Sequence, residues 1–152
     1  MAEKPPEMLR NNRPKVDIQP GERLYRRVNP ADWGEPHPEV DALDVPDMSV
    51  NRGRPHGEPE WVLLESDNHA AWGIVYFVAD TIPARMIHSD GTEYTFRTEH
   101  VPLVENYPHS EIRAFLNGER FQTKKSLFDR DLSLRWRNAL LQQTRVYRRP
   151  VE

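Results

Sequence analysis

Arg85-Met-Ile-His-Ser-Asp-Gly-Thr-Glu-Tyr-Thr-Phe-Arg97 decides the fold. Two short runs flank Asp90-Gly91, a dipeptide that tolerates the positive φ angles of a type I′ turn, so the stretch predicts an antiparallel hairpin. Asn117-Gly118 repeats the signal between Glu111-Ile-Arg-Ala-Phe-Leu116 and Glu119-Arg-Phe-Gln122, predicting a second hairpin. Between the two runs His100-Val-Pro-Leu-Val-Glu-Asn-Tyr-Pro-His-Ser-Glu111, a polar loop braced by strands. Such loops are where binding and catalytic groups collect.

Toward the N-terminus, Glu22–Val28 alternates, with Leu24, Arg26 and Val28 on one face and Arg23, Tyr25 and Arg27 on the other. This predicts a short strand carrying arginine on both sides. Trp72–Ala79 is a β-branched and aromatic run expected to be the central strand, whereas Glu60–Glu65 reads as either a strand or a helical turn. From Asn29 to Pro59, repeated prolines with Gly34, Gly53 and Gly57 suppress regular structure, so this stretch is expected to wrap the surface or form a lid. Within it Met48-Ser-Val-Asn-Arg52 is expected to pair briefly. Asp131–Thr144 spaces Leu132, Trp136, Ala139, Leu140 and Gln143 by three and four, which predicts a helix capped by Asp131. The expected fold class is α+β: a mainly antiparallel, twisted sheet of five to seven strands with the C-terminal helix packed on one face.

Residues 1–20 carry Pro5, Pro6, Pro14 and Pro20 without an apolar period and are expected to form a disordered Pro-rich arm, leaving 21–150 as a single α+β domain. A chain of 152 residues with 37% hydrophobic content suits one core. Cysteine is absent, which excludes disulfides, thiolate nucleophiles and cysteine-ligated metals. No long apolar run and no secretory leader is evident, so a cytoplasmic protein with no membrane association is expected. The net charge of −3 hides an asymmetry. Val28–Glu65 is strongly acidic and Arg120–Arg149 strongly basic, and the simplest consequence is that the two regions meet, within the fold or across an interface.

His100 and His109 flank Glu105, Asn106 and Tyr107, a set suited to acid–base work or to structural bonding within the loop. Their nine-residue spacing matches no zinc signature, so no metal is expected, and no pattern asks for a cofactor. The catalytic candidates are His100, His109, Glu111 and Ser49, although Ser49 lacks the Gly-x-Ser-x-Gly setting of an exposed nucleophile. The ligand-binding candidates are Arg26, Arg27, Arg52, Asn106 and Tyr107, since guanidinium offers paired donors to phosphate oxygens. The same arginines are equally suited to pairing with neighbouring carboxylates.

In order, Leu24-Tyr-Arg-Arg27, Met48-Ser-Val-Asn-Arg52 and Asn106-Tyr-Pro-His-Ser-Glu-Ile112 resemble small bacterial proteins in which an arginine strand, a Ser-Val segment and an Asn-x-x-His loop recur. That resemblance carries no activity with it. The chain is also similar to the ADP-ribosyltransferase group, which uses an early-strand arginine for the NAD phosphates, a middle-strand serine as a brace and a late glutamate at the nicotinamide ribose. Arg26, Ser49 and Glu111 are the matching positions. Ser49 stands outside a Ser-Thr-Ser block, and Glu111 lacks a second acid two positions away.

The function expected first is a non-catalytic binding or accessory protein in a bacterial multi-protein assembly, its partner another protein. The alternative is a small enzyme with an NAD- or nucleotide-binding pocket between Arg26, Ser49, His100, His109 and Glu111. A second alternative is nucleic-acid binding through Trp136, Arg145, Tyr147, Arg148 and Arg149, which the sequence pI of about 6.1 makes the least expected.

Overall fold

The chain forms eight strands in the computed structural model, which describes residues 4–122 and 125–151. They are β1 (Arg23–Val28), β2 (Asp47–Arg52), β3 (Gly73–Val78), β4 (Arg85–Ile87), β5 (Glu93–His100), β6 (His109–Leu116), β7 (Glu119–Arg120) and β8 (Arg145–Arg148). One helix, α1 (Arg130–Gln143), precedes the last strand. All pairings are antiparallel, in the order β4-β5-β6-β2-β1-β3-β8, with β7 paired to β6. The expected α+β architecture is therefore present, with seven strands along the main path of the sheet.

Leu24, Val28, Met48, Val50, Phe96, Ile112 and Ala114 form one apolar face, onto which α1 sets Leu132, Trp136 and Leu140. Ala42, Leu43 and Val45 from the Pro-rich stretch complete this core. On the opposite face Tyr25 and Ile74 pack against Val62 and Leu63 of a 3-10 turn spanning Pro59–Leu63. That turn settles the ambiguous Glu60–Glu65 segment as helical.

Three expectations about the strands, the helix and the first turn need correction. The central strand is β2, fourth along the sheet, whereas the more apolar β3 lies next to the edge strand β8. Hydrophobicity misled because β2 buries Met48 and Val50 on one face while its other face carries Ser49 and Asn51. The helix cap is Asp129, whose carboxylate accepts from the Leu132 amide at 2.8 Å, so the cap lies two residues before the expected Asp131. At the β4–β5 turn only Gly91 takes a positive φ, 88°, while Asp90 accepts from the Thr92 amide. The second turn does have both central residues positive, Asn117 at 51° and Gly118 at 86°.

Residues 4–20, expected as a mobile arm, lie along the domain. Met8 is buried, the Tyr107 amide donates to the Met8 carbonyl at 2.7 Å, and the Tyr107 hydroxyl donates to the Pro14 carbonyl. The attachment uses scattered side chains, Met8, Arg13 and Ile18 among them, together with backbone groups, which is why no apolar period announces it.

The acidic and basic regions meet within the chain. Asp41 pairs with Arg137, Asp44 with Lys125, Asp47 with Arg120 and Glu35 with Arg149. His88 adds a further link: its Nε2 is 3.0 Å from Asp129 and its Nδ1 3.1 Å from Asp90. The hydrogen bond to Asp90, opposed by desolvation and helped by the Asp129 charge, raises the His88 pKa, and hydrogen bonds from Thr92, with a smaller contribution from His88, push Asp90 down to about 2. A raised folded-state value means stabilisation that is fully present below the ordinary imidazole pKa and lost as pH rises through the higher folded one. Denaturant titrations of wild type and His88→Asn should thus differ at pH 5 and converge on the alkaline side; an unchanged gap at pH 9 would refute the linkage.

Candidate functional site between β1 and β2

The sheet opens where β1 and β2 should continue to pair. β1 aligns six residues with β3 but only Leu24 and Tyr25 with β2, opposite Arg52 and Asn51. Beyond Tyr25, the Arg26 side chain replaces the ladder: Nη1 donates to the Ser49 carbonyl at 2.9 Å, Nε to the Ala42 carbonyl at 2.8 Å, and Nη2 meets Asp44 at 2.8 Å. A guanidinium wedged between strands satisfies carbonyls that backbone amides would otherwise take, and holds the strands apart. Burial pushes the Arg26 pKa down and the Asp44 charge opposes it.

The opening borders a cavity of about 580 Å³. Arg26, Arg27, Ser49, Asn51, Asn106 and His109 contribute its polar wall, and Tyr25, Trp61 and Trp72 its aromatic wall. Strand geometry explains the grouping: Asn51 lies opposite His109 and Ser49 opposite Glu111, so all four residues share one face. Ser49 Oγ is 3.4 Å from His109 Nε2, and His109 Nδ1 is 2.9 Å from the Val101 carbonyl. Asn51 and Asn106 exchange amide hydrogen bonds at 3.1 and 2.9 Å, each using one of its two N–H groups.

Of the sequence candidates, Arg26, Arg27, Ser49, Asn106 and His109 line the cavity. Arg27 Nη1 meets Glu65 at 2.9 Å and the Val62 carbonyl at 3.3 Å, and among the described residues Nε and Nη2 have no hydrogen-bond partner. Glu111 sits across from Ser49 but outside the lining, with its carboxylate 3.3 Å from Arg113. The other three are structural. His100 is buried, accepts from the Val16 amide at Nδ1 and donates from Nε2 to the Tyr107 carbonyl at 2.7 Å, so both nitrogens are used. Burial pushes its pKa down. Tyr107 is buried under the Arg13 guanidinium, which lies 3.8 Å from the ring centroid. Arg52 is fully buried against Glu22.

Asn51, Trp61 and Trp72 were not anticipated as lining residues. Asn51 was accessible to sequence reasoning, since period two places it beside Ser49. The tryptophans come from loops whose approach no local pattern encodes. Among the described residues no cluster of three or more His, Asp or Glu is arranged to hold a metal, and no helix is long and apolar enough to cross a membrane.

Comparison with models of protein families, with curated proteins and with solved structures returns no match to this chain.

Proposed function

We propose that this protein binds a nucleotide, with NAD as the specific candidate, in the cavity between β1 and β2, and that it works as a small ADP-ribosyltransferase-like enzyme. The observation that carries the reading is the cavity itself, where Arg27, Ser49, Asn51, Asn106 and His109 meet three aromatic side chains. Arg26 bonds the Ser49 carbonyl and Ser49 pairs in register with Glu111, so the three positions matched by the resemblance are backbone neighbours, although the Arg26 side chain leaves from the face of Leu24 and Val28 and the Glu111 carboxylate is held outside the lining by Arg113. The cavity, at about 580 Å³, falls within the roughly 300–1,000 Å³ of small-molecule sites, and mixes aromatic surface with a few converging polar groups.

Within it, Arg27 has free donors for phosphate oxygens, while Trp61, Trp72 and Tyr25 offer flat surface to a base. Arg26 is best suited to keeping the cavity open. Titrating NAD into wild type and Arg27→Ala by calorimetry tests the assignment. A lost charge-assisted contact worth about 1.5–3 kcal/mol predicts affinity reduced by about 10- to 100-fold. Equal affinity would remove Arg27 from the site, and no NAD binding by wild type would remove the reading.

One observation favours the non-catalytic binding protein instead. The lining cations are neutralised in place, Lys4 by Glu105, Arg26 by Asp44 and Arg27 by Glu65, while Asp32 adds further acid and Asp41 is paired with Arg137. A partner seated there would present a basic side chain, and heat on adding an arginine-rich peptide but none on adding NAD would select this alternative. Nucleic-acid binding has less support, because Arg148 bonds the Ala70 and Trp72 carbonyls and Arg149 pairs with Glu35.

A further inference from the structure

Among the described residues His109 is the one imidazole lining the cavity, and its surroundings define which nitrogen bears the proton. The Val101 carbonyl 2.9 Å from Nδ1 can only accept, so Nδ1 is the donor and Nε2 presents a lone pair. The Val101 amide in turn donates to the His109 carbonyl at 3.1 Å, clamping the residue by backbone and side chain together. The polar partner of Nε2 is the Ser49 hydroxyl at 3.4 Å, a long contact readily exchanged for one to an incoming hydroxyl. Glu111, which the resemblance would place at the reacting ribose, is held by Arg113 outside the lining, and the lining carboxylates Asp41, Asp44, Glu65 and Glu105 are each paired with a cation, so the base beside Ser49 is the histidine.

We propose that His109 is the general base of the cavity and that it activates a hydroxyl, water in the simplest case, so that the bound dinucleotide is hydrolysed. This rests on the nucleotide reading above. For NAD, the water oxygen forms a bond to the anomeric carbon of the nicotinamide ribose as the bond from that carbon to the pyridinium nitrogen breaks. The electron pair of the broken bond stays on the departing nicotinamide and cancels its charge, and the water proton moves to His109 Nε2. No oxidant or second organic substrate enters. Ser49 is a positioning residue, its hydroxyl orienting the imidazole and the water.

His109→Asn tests the assignment, because the shorter amide keeps a donor on the Val101 side and removes the base. Nicotinamide release and NAD affinity are measured separately, on variants whose thermal unfolding matches wild type. The expected result is a kcat lower by about 10²- to 10⁴-fold with NAD affinity retained. Equal turnover in the two proteins, or NAD bound by wild type without nicotinamide release, overturns the base while leaving the binding reading intact. No NAD binding by wild type overturns both. Nitrogen-15 resonances of wild-type His109 give a check that needs no variant: a proton on Nε2 would refute the tautomer and with it the base.

Discussion

Arg52→Ala should lower the unfolding free energy by about 3–5 kcal/mol, the usual cost of removing one member of a buried ion pair. The Arg52 side chain is 0% exposed and that of Glu22 11%. Arg52 Nε and Nη2 reach the two Glu22 oxygens at 2.8 and 2.7 Å, and Nη1 and Nη2 also donate to the Val16 and Asp17 carbonyls. One guanidinium therefore ties the N-terminal segment to the central strand, and its loss strands a carboxylate and two carbonyls together. Denaturant unfolding measures the effect, and a change below about 1 kcal/mol, the range of exposed pairs, would show that the pair contributes little. Glu22 supplies the acid side of the same argument. Burial works against its ionisation, but the Arg52 hydrogen bond and charge prevail and hold its pKa below the ordinary carboxylate value. A depressed folded-state value stabilises above the unfolded pKa and ceases to do so as pH falls through the folded one, so wild type should lose stability there more steeply than Glu22→Gln.

Trp136→Ala should cost a similar amount, about 3–5 kcal/mol, by emptying the space between helix and sheet. The indole is 1% exposed and stacks on Phe96 with centroids 4.6 Å apart, and its Nε1 donates to the Pro83 carbonyl at 2.9 Å. Trp136→Phe separates the two contributions: it retains most of the apolar contact and leaves the Pro83 carbonyl unpaired, for a loss of about 1 kcal/mol. Equal losses in both variants would mean that the hydrogen bond, not the packing, anchors α1.

Elements whose signal is local were readable directly. Asn117-Gly118 specifies a turn because two successive positive φ angles admit few residue types, and the spacing of Leu132, Trp136 and Leu140 specifies a helix face whatever it packs against. Boundaries were less secure, since Asp129 and Asp131 are both able to cap and only the path of the preceding chain selects between them. The candidate residues divided the same way. Ser49, Asn106, His109, Arg26 and Arg27 qualify by residue type and setting, and they border one cavity. His100, Tyr107 and Arg52 qualify on the same grounds, and their polar atoms are used on the N-terminal segment and the loop itself. Residue type alone does not distinguish a group aimed at a ligand from one bonded to its own backbone.

By itself the sequence determined the fold class, the two turns, the helix and the exclusion of thiol chemistry, because each depends on neighbours within about a dozen residues. Only the tertiary structure decided that β2 is central, that the sheet parts at Arg26, and that Ser49, His109 and Arg27 face one cavity. Strand order and the partner of a buried charge depend on contacts between segments tens of residues apart, where local propensity carries no information.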